Sequence, residues 1–99
     1  MTTPLAFGRY RMERDSAAAL ALRALCFRNG ASDADVLDAT CDHWTVVDGI
    51  TGETVAAFRI LLIPDAAGLG GSYSARFYDL SRLAALSGPY LELGRFCLH

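Results

Sequence analysis

The chain has 99 residues, 53% of them hydrophobic and 20% charged, with a net charge of −2. That length is one domain able to bury roughly 60–65% of its unfolded surface, and the apolar content excludes disorder. All nine basic residues are arginine, spread from Arg9 to Arg95 without a basic face, which argues against nucleic-acid binding.

Along the chain, "FGRYRMERD" alternates Tyr10 and Met12 against Arg9, Arg11 and Glu13, which predicts a short first strand. Asp15 or Ser16 offers an oxygen to cap the helix that follows. That helix, "SAAALALRALCF", is rich in good helix formers, and Asn29-Gly30 supplies the left-handed residue that ends it. "ASDADVLDATCDH" reads as a polar connection with about one helical turn. "WTVVD" and "ETVAAFRILLI", separated by "GITG", form the clearest hairpin, and Pro64 closes its second strand. "DAAGLGGSYSARFYDLS" is a long loop, expected either to bind something or to drape over the core. "LSRLAALSG" has the pattern of a short helix, and Gly88-Pro89 breaks before a last strand, "YLELGRFCLH". The fold class is therefore mixed α/β (α+β), a single unit over 1–99 built on an antiparallel sheet. Its last strand has apolar residues on both faces, the pattern of a central strand covered on both sides.

Several charges stand where this patterning calls for apolar residues. Arg23 lies one turn before Phe27 on the helix. Arg59 shares a strand face with Val55, Ala57 and Leu61, and Glu92 and Arg95 interrupt the last strand. Arginine stems snorkel and buried ion pairs can simply hold a fold, so each residue alone has a structural explanation. As a set they also describe a site. Glu92 and Arg95 have opposite parity, and in a regular strand they would face opposite sides. Gly94 between them is expected to mark a bulge that turns both side chains into one cleft.

Taken in order, Leu22-Arg23 with Phe27, Asp38 with Cys41-Asp42-His43, Thr51-Gly52-Glu53, Arg59-Ile60-Leu61, Tyr73-Ser74 with Phe77-Tyr78-Asp79-Leu80-Ser81, and Leu91 through His99 form a pattern. It resembles the amino-terminal half of the GNAT acyltransferases related to acyl-homoserine-lactone synthases. The closer resemblance is to the "hemolysin-like" branch that acylates the α-amino group of ornithine in ornithine-lipid synthesis. It covers about Tyr10 to His99.

The resemblance implies the amino-terminal part of a GNAT fold, its last strand central in the sheet and the cofactor-binding half beyond the end of this chain. It implies transfer of a 3-hydroxyacyl group from acyl carrier protein to ornithine, with no bound cofactor and no metal, and inactivity of this chain by itself. Glu92 and Arg95 are then the candidate catalytic residues, Glu92 assisting deprotonation of the amine. Arg23, Phe27, Asp38, Asp42 and Arg59 are the candidate substrate-binding residues. The alternatives are a homoserine-lactone-type synthase using S-adenosylmethionine, and a non-catalytic remnant or interaction module completed by a partner chain.

Lesser signals point elsewhere. Cys41-x-His43 and Cys97-x-His99 are spaced too tightly for the usual zinc ligand pairs. "GLGGS" lacks the last glycine and the lysine of a phosphate loop. Trp44, Tyr73, Phe77 and Tyr78 could line an acyl channel, but such spacings belong more often to a core. Three cysteines without C-x-x-C read as free thiols. No secretory signal is read in the first residues, and no apolar run reaches membrane-spanning length. The expected location is cytoplasmic. A lipid product implies peripheral contact at the inner membrane face, although no basic amphipathic segment supports it. Expected partners are acyl carrier protein, a small amine, and a second copy or completing chain.

Overall fold

The computed structural model describes residues 5–99, and side chains from Gly8 onward. Five antiparallel strands stand in chain order: β1 (Leu5–Phe7), β2 (Tyr10–Arg14), β3 (Asp42–Asp48), β4 (Thr54–Ile63) and β5 (Tyr90–Leu98). One helix, α1 (Ser16–Arg28), packs across β3, β4 and β5. The expected first strand is β2. The pattern missed β1, which folds back at Gly8, whose φ of 62° suits a two-residue hairpin turn.

The two ends of α1 follow from its sequence. Asp15 caps the start by accepting the Ala18 amide at 3.0 Å. Asn29 adopts the left-handed conformation, and the Gly30 amide returns to the Ala24 carbonyl at 2.8 Å. The alanines that blur the helix's polarity let it lie close to the sheet. Ala19 and Leu22 pack with Ala57 of β4 and Cys97 of β5 in a small core.

The β3–β4 turn is built on Asp48. Its carboxylate accepts the Ile50 amide at 2.8 Å and pairs with Arg9 at 2.6 Å, tying the β2 edge to the hairpin. The polar connection after α1 holds one 3-10 turn, Val36–Thr40. The long segment from Ala66 to Leu86 is three further 3-10 turns, Ala66–Gly71, Ser74–Arg76 and Ser81–Leu86. The last was expected as a short helix. Buried Leu69 and Ser72 anchor this segment, so it drapes over the core.

β5 is the outermost strand of the described sheet, where its pattern suggested a central one. The face away from α1 is open here. Leu91 stands opposite Leu62, Leu93 opposite Ile60, and Phe96 stacks on Phe58 with ring centroids 6.0 Å apart. Leu91, Leu93, Phe96 and Leu98 are all exposed. The radius of gyration, 15.0 Å, exceeds the roughly 13 Å usual for 100 residues, as a sheet covered on one side requires.

Candidate active site

The misplaced charges of the sequence meet on the helix side of the sheet. Arg23, fully buried, donates from Nη1 to Asp38 at 2.7 Å, from Nε to Asp33 at 3.2 Å, and from Nη2 to the Asp33 carbonyl at 2.8 Å. Arg59 reaches the same place from β4, with Nη1 2.7 Å from Asp35 and 2.9 Å from Asp38. Arg28 pairs with Asp33 at 3.0 Å. The aspartates are presented by the 3-10 turn, where Asp35 and Asp38 form a reciprocal capping box. His43, buried on β3, donates from Nε2 to the Asp38 carbonyl at 2.8 Å and fixes that turn to the sheet.

Burial pushes the Asp38 carboxyl up, but Arg23, the Asp35 amide and Arg59 overcome it and hold it well below the carboxylate range. Asp33 and Asp35 are lowered by the same balance, burial being outweighed by their arginines. Asp33, Asp35 and Asp38 are thus ionised at neutral pH. Isolated buried charges would be too costly, so buried Arg23 and Arg59 require their aspartates.

The bulge in β5 lies where Gly94 indicated. Between the pairs Ala57–Cys97 and Arg59–Gly94 the strand carries one residue more than β4, and Arg95 takes the left-handed conformation at φ 49°. The extra residue cancels the parity difference and brings Glu92 and Arg95 to one side. Glu92 accepts the backbone amides of Tyr73 at 2.9 Å and Ser74 at 2.8 Å. Arg95 lies over the Tyr73 ring, 5.4 Å from its centroid, and touches Asp35 at 3.3 Å and Asp33 at 3.4 Å. Burial raises the Glu92 carboxyl, yet the Ser74 and Tyr73 donors and the Arg59 charge bring it below its ordinary value.

A profile of the family described as "Acetyltransferase (GNAT) domain" matches residues 10–99. The chain belongs to that family. A curated relative, the L-ornithine N(alpha)-acyltransferase of Rhodobacter capsulatus, is 39% identical over 72 residues, which cover 68% of this chain and 28% of the relative. The chain therefore spans less than a third of that relative's length. No solved structure matches it.

Of the expected site residues of this GNAT chain, Arg23, Asp38, Arg59, Glu92 and Arg95 come together. Phe27 and Asp42 do not join them. Phe27 is 45% exposed on the last turn of α1, while Arg23 one turn earlier is 0% exposed. Asp42 points to the other side of β3 and lies 3.6 Å from Arg14 at the surface. Asp33 and Asp35 belong to the network and were not singled out, although the density of aspartates after Gly30 was the signal. Tyr73, part of the family pattern and a candidate channel or core aromatic in the sequence, has a further role. It is the platform for Arg95, Arg59 and Arg76, whose guanidinium carbons lie 5.4, 5.9 and 5.5 Å from its ring centroid.

Next to Glu92 the GNAT chain has a cavity of about 290 Å³ between β5 and the 3-10 segment, with Ile63, Leu69, Leu80, Leu83, Tyr90 and Leu91 in its wall. Ser72, Ser74 and Glu92 supply its polar edge. Phe77 and Tyr78 are exposed and do not line this cavity, Tyr78 lining a neighbouring one instead, and Trp44 lies on the opposite face, below the Arg14 guanidinium. Cys26, Cys41 and Cys97 are unbridged thiols. Among the described residues no group of three His, Cys, Asp or Glu side chains is disposed to hold a metal ion, and no helix is long and apolar enough to cross a membrane.

Proposed function

We propose that this GNAT chain is the acceptor-binding part of an N-acyltransferase that acylates the α-amino group of ornithine. The observation that carries the reading is Glu92. Its carboxylate is ionised, fixed by two backbone amides, and set at the edge of an apolar cavity. Such a group attracts an ammonium and receives the proton that the amine must lose before it can attack. The partial likeness to the Rhodobacter capsulatus protein supports ornithine as the amine.

In the proposed reaction the free amine nitrogen attacks the thioester carbonyl carbon. A C–N bond forms, the C–S bond breaks, and the thiol leaves with the proton the amine released. Glu92 carries that proton in transit, and because its pKa is lowered it works by holding the ammonium close as much as by basicity. Arg23, Asp38 and Arg59 position the β4–β5 bulge, since their hydrogen bonds are made to one another. The donor in this reading is an acyl group on acyl carrier protein, with a 3-hydroxyacyl chain leading to an ornithine lipid. The place of work is the cytoplasmic face of the membrane that receives the product.

The test is a chimera in which this chain replaces the matching segment of the Rhodobacter capsulatus protein. It is offered acyl carrier protein charged with a 3-hydroxyacyl chain, and either ornithine or S-adenosylmethionine. Formation of N-acylornithine, read by mass spectrometry, is the expected outcome. Acylation of S-adenosylmethionine alone would assign the chain to the homoserine-lactone type instead.

A further inference from the structure

Arg76 and Arg82 are the arginines without an ion pair among the described residues, and of the two Arg76 lies beside the network, on the Tyr73 ring. Arg23, Arg28, Arg59 and Arg95 share the three carboxylates of Asp33, Asp35 and Asp38. Arg59 is buried and makes two short contacts, both from Nη1. Arg95 has only the longer ones, its side chain is 24% exposed, and its Nε has no hydrogen-bond partner. Arg76 is exposed and makes no ion pair among the described residues, yet it is not a free surface arginine. Its guanidinium carbon is held 5.5 Å from the centre of the Tyr73 ring, and Arg95 is held by the same ring at 5.4 Å. Asp33, Asp35 and Asp38 offset the charges of Arg59 and Arg95, so the repulsion left on the ring is that felt by Arg76, which meets no carboxylate among the described residues and is compensated only in part by the ring face. An anion beside Tyr73 removes that repulsion, and a planar carboxylate suits the guanidinium fork.

The same ring residue is pinned to Glu92 through its backbone amide, at 2.9 Å. A carboxylate that attracts an ammonium and guanidiniums that attract a carboxylate therefore flank one short turn, Ser74–Arg76. An α-amino acid carries those two opposite charges on a single carbon. We infer that Arg76, with Arg95 as the second guanidinium, binds the carboxylate of the amino-acid acceptor on the Tyr73 platform. The inference rests on the acyltransferase reading and adds what that reading lacks, the group that distinguishes an amino acid from a simple amine.

The experiment follows the arginine Nε–H signals of this chain by NMR while L-ornithine, 1,4-diaminobutane, pentanoate or inorganic phosphate is added. L-Ornithine is expected to shift the Arg76 and Arg95 signals, and 1,4-diaminobutane to leave them in place. Arg76→Gln should weaken ornithine binding about tenfold or more, as loss of a charged hydrogen bond does, and Arg76→Lys should restore part of it. Arg76 is exposed on a turn, so the fold should survive both changes. Equal ornithine binding by wild type and Arg76→Gln, or phosphate shifting these signals more strongly than any carboxylate, would overturn the inference. Pentanoate acting as strongly as ornithine would keep the carboxylate site and count against an amino-acid acceptor, separating the two claims.

Discussion

Glu92 and Tyr73 are 19 residues apart in the chain, yet the Glu92 carboxylate accepts the Tyr73 amide at 2.9 Å and so fastens the 3-10 segment to the last strand. The second oxygen does the same for Ser74 at 2.8 Å. One acidic side chain thereby sets the position of the aromatic platform and lines the apolar cavity. Glu92→Gln keeps one acceptor and turns the other position into a donor facing an amide N–H. Stability should fall by about 1–3 kcal/mol, the cost of an unsatisfied buried donor. Hydrogen exchange at the Tyr73 and Ser74 amides should accelerate, while the β3–β4 amides keep their protection.

Asp38 is the carboxylate shared between α1 and β4. Asp38→Asn leaves buried Arg23 and Arg59 short of a counter-charge, and the expected loss is about 3–5 kcal/mol. Asp42→Asn, at an exposed pair 3.6 Å from Arg14, should change stability by no more than about 0.5 kcal/mol. Urea unfolding of the two variants measures the contrast.

Acid should unfold the chain through its aspartates. Asp33, Asp35 and Asp38 all have folded pKa values below the ordinary 3.8. A lowered folded value gives stability that is complete above the unfolded value and lost as pH falls through it towards the folded ones. The contribution of this network should therefore be constant from about pH 5 to 8 and decline below about pH 4. Denaturation midpoints measured at successive pH values test this, and Asp38→Asn should flatten the acid limb.

The bulge at Arg95 combines a strained backbone with a useful guanidinium. Arg95→Gly removes the side chain but relieves the left-handed φ of 49°, whereas Arg95→Ala removes the side chain and keeps the strain. The glycine variant should be more stable than the alanine variant by about 1 kcal/mol. Both should lose the contact with Tyr73, read as increased mobility of its ring by NMR.

Much of this was legible because local chemistry decides it. The Asp15 cap, the Asn29-Gly30 terminus, the β3–β4 hairpin and the bulge beside Gly94 each rest on residues close in sequence. The convergence of Arg23, Arg59 and Arg95 was legible too, since each interrupts an apolar pattern and buried cations need partners. What stayed hidden is either too short to show a period or depends on distant contacts. β1 has too few residues for a period to emerge, and Ser81–Leu86 has helix-forming residues but closes only as a 3-10 turn. Nothing near Tyr73 announces that three arginines from separate elements will gather on it. Phe27 and Asp42 matched a family pattern in position, yet one is left part-exposed on the last turn of α1 and the other lies on the far side of β3.

The most direct test of the central claim is the turnover of the chimera described above, with Glu92 intact and with Glu92→Gln, using acyl carrier protein charged with a 3-hydroxyacyl chain and ornithine. The account predicts N-acylornithine from the first and at least a roughly hundredfold lower rate from the second, both proteins being folded by circular dichroism. Equal rates from the two, or no acylated amine from the folded chimera with Glu92 intact, would contradict it.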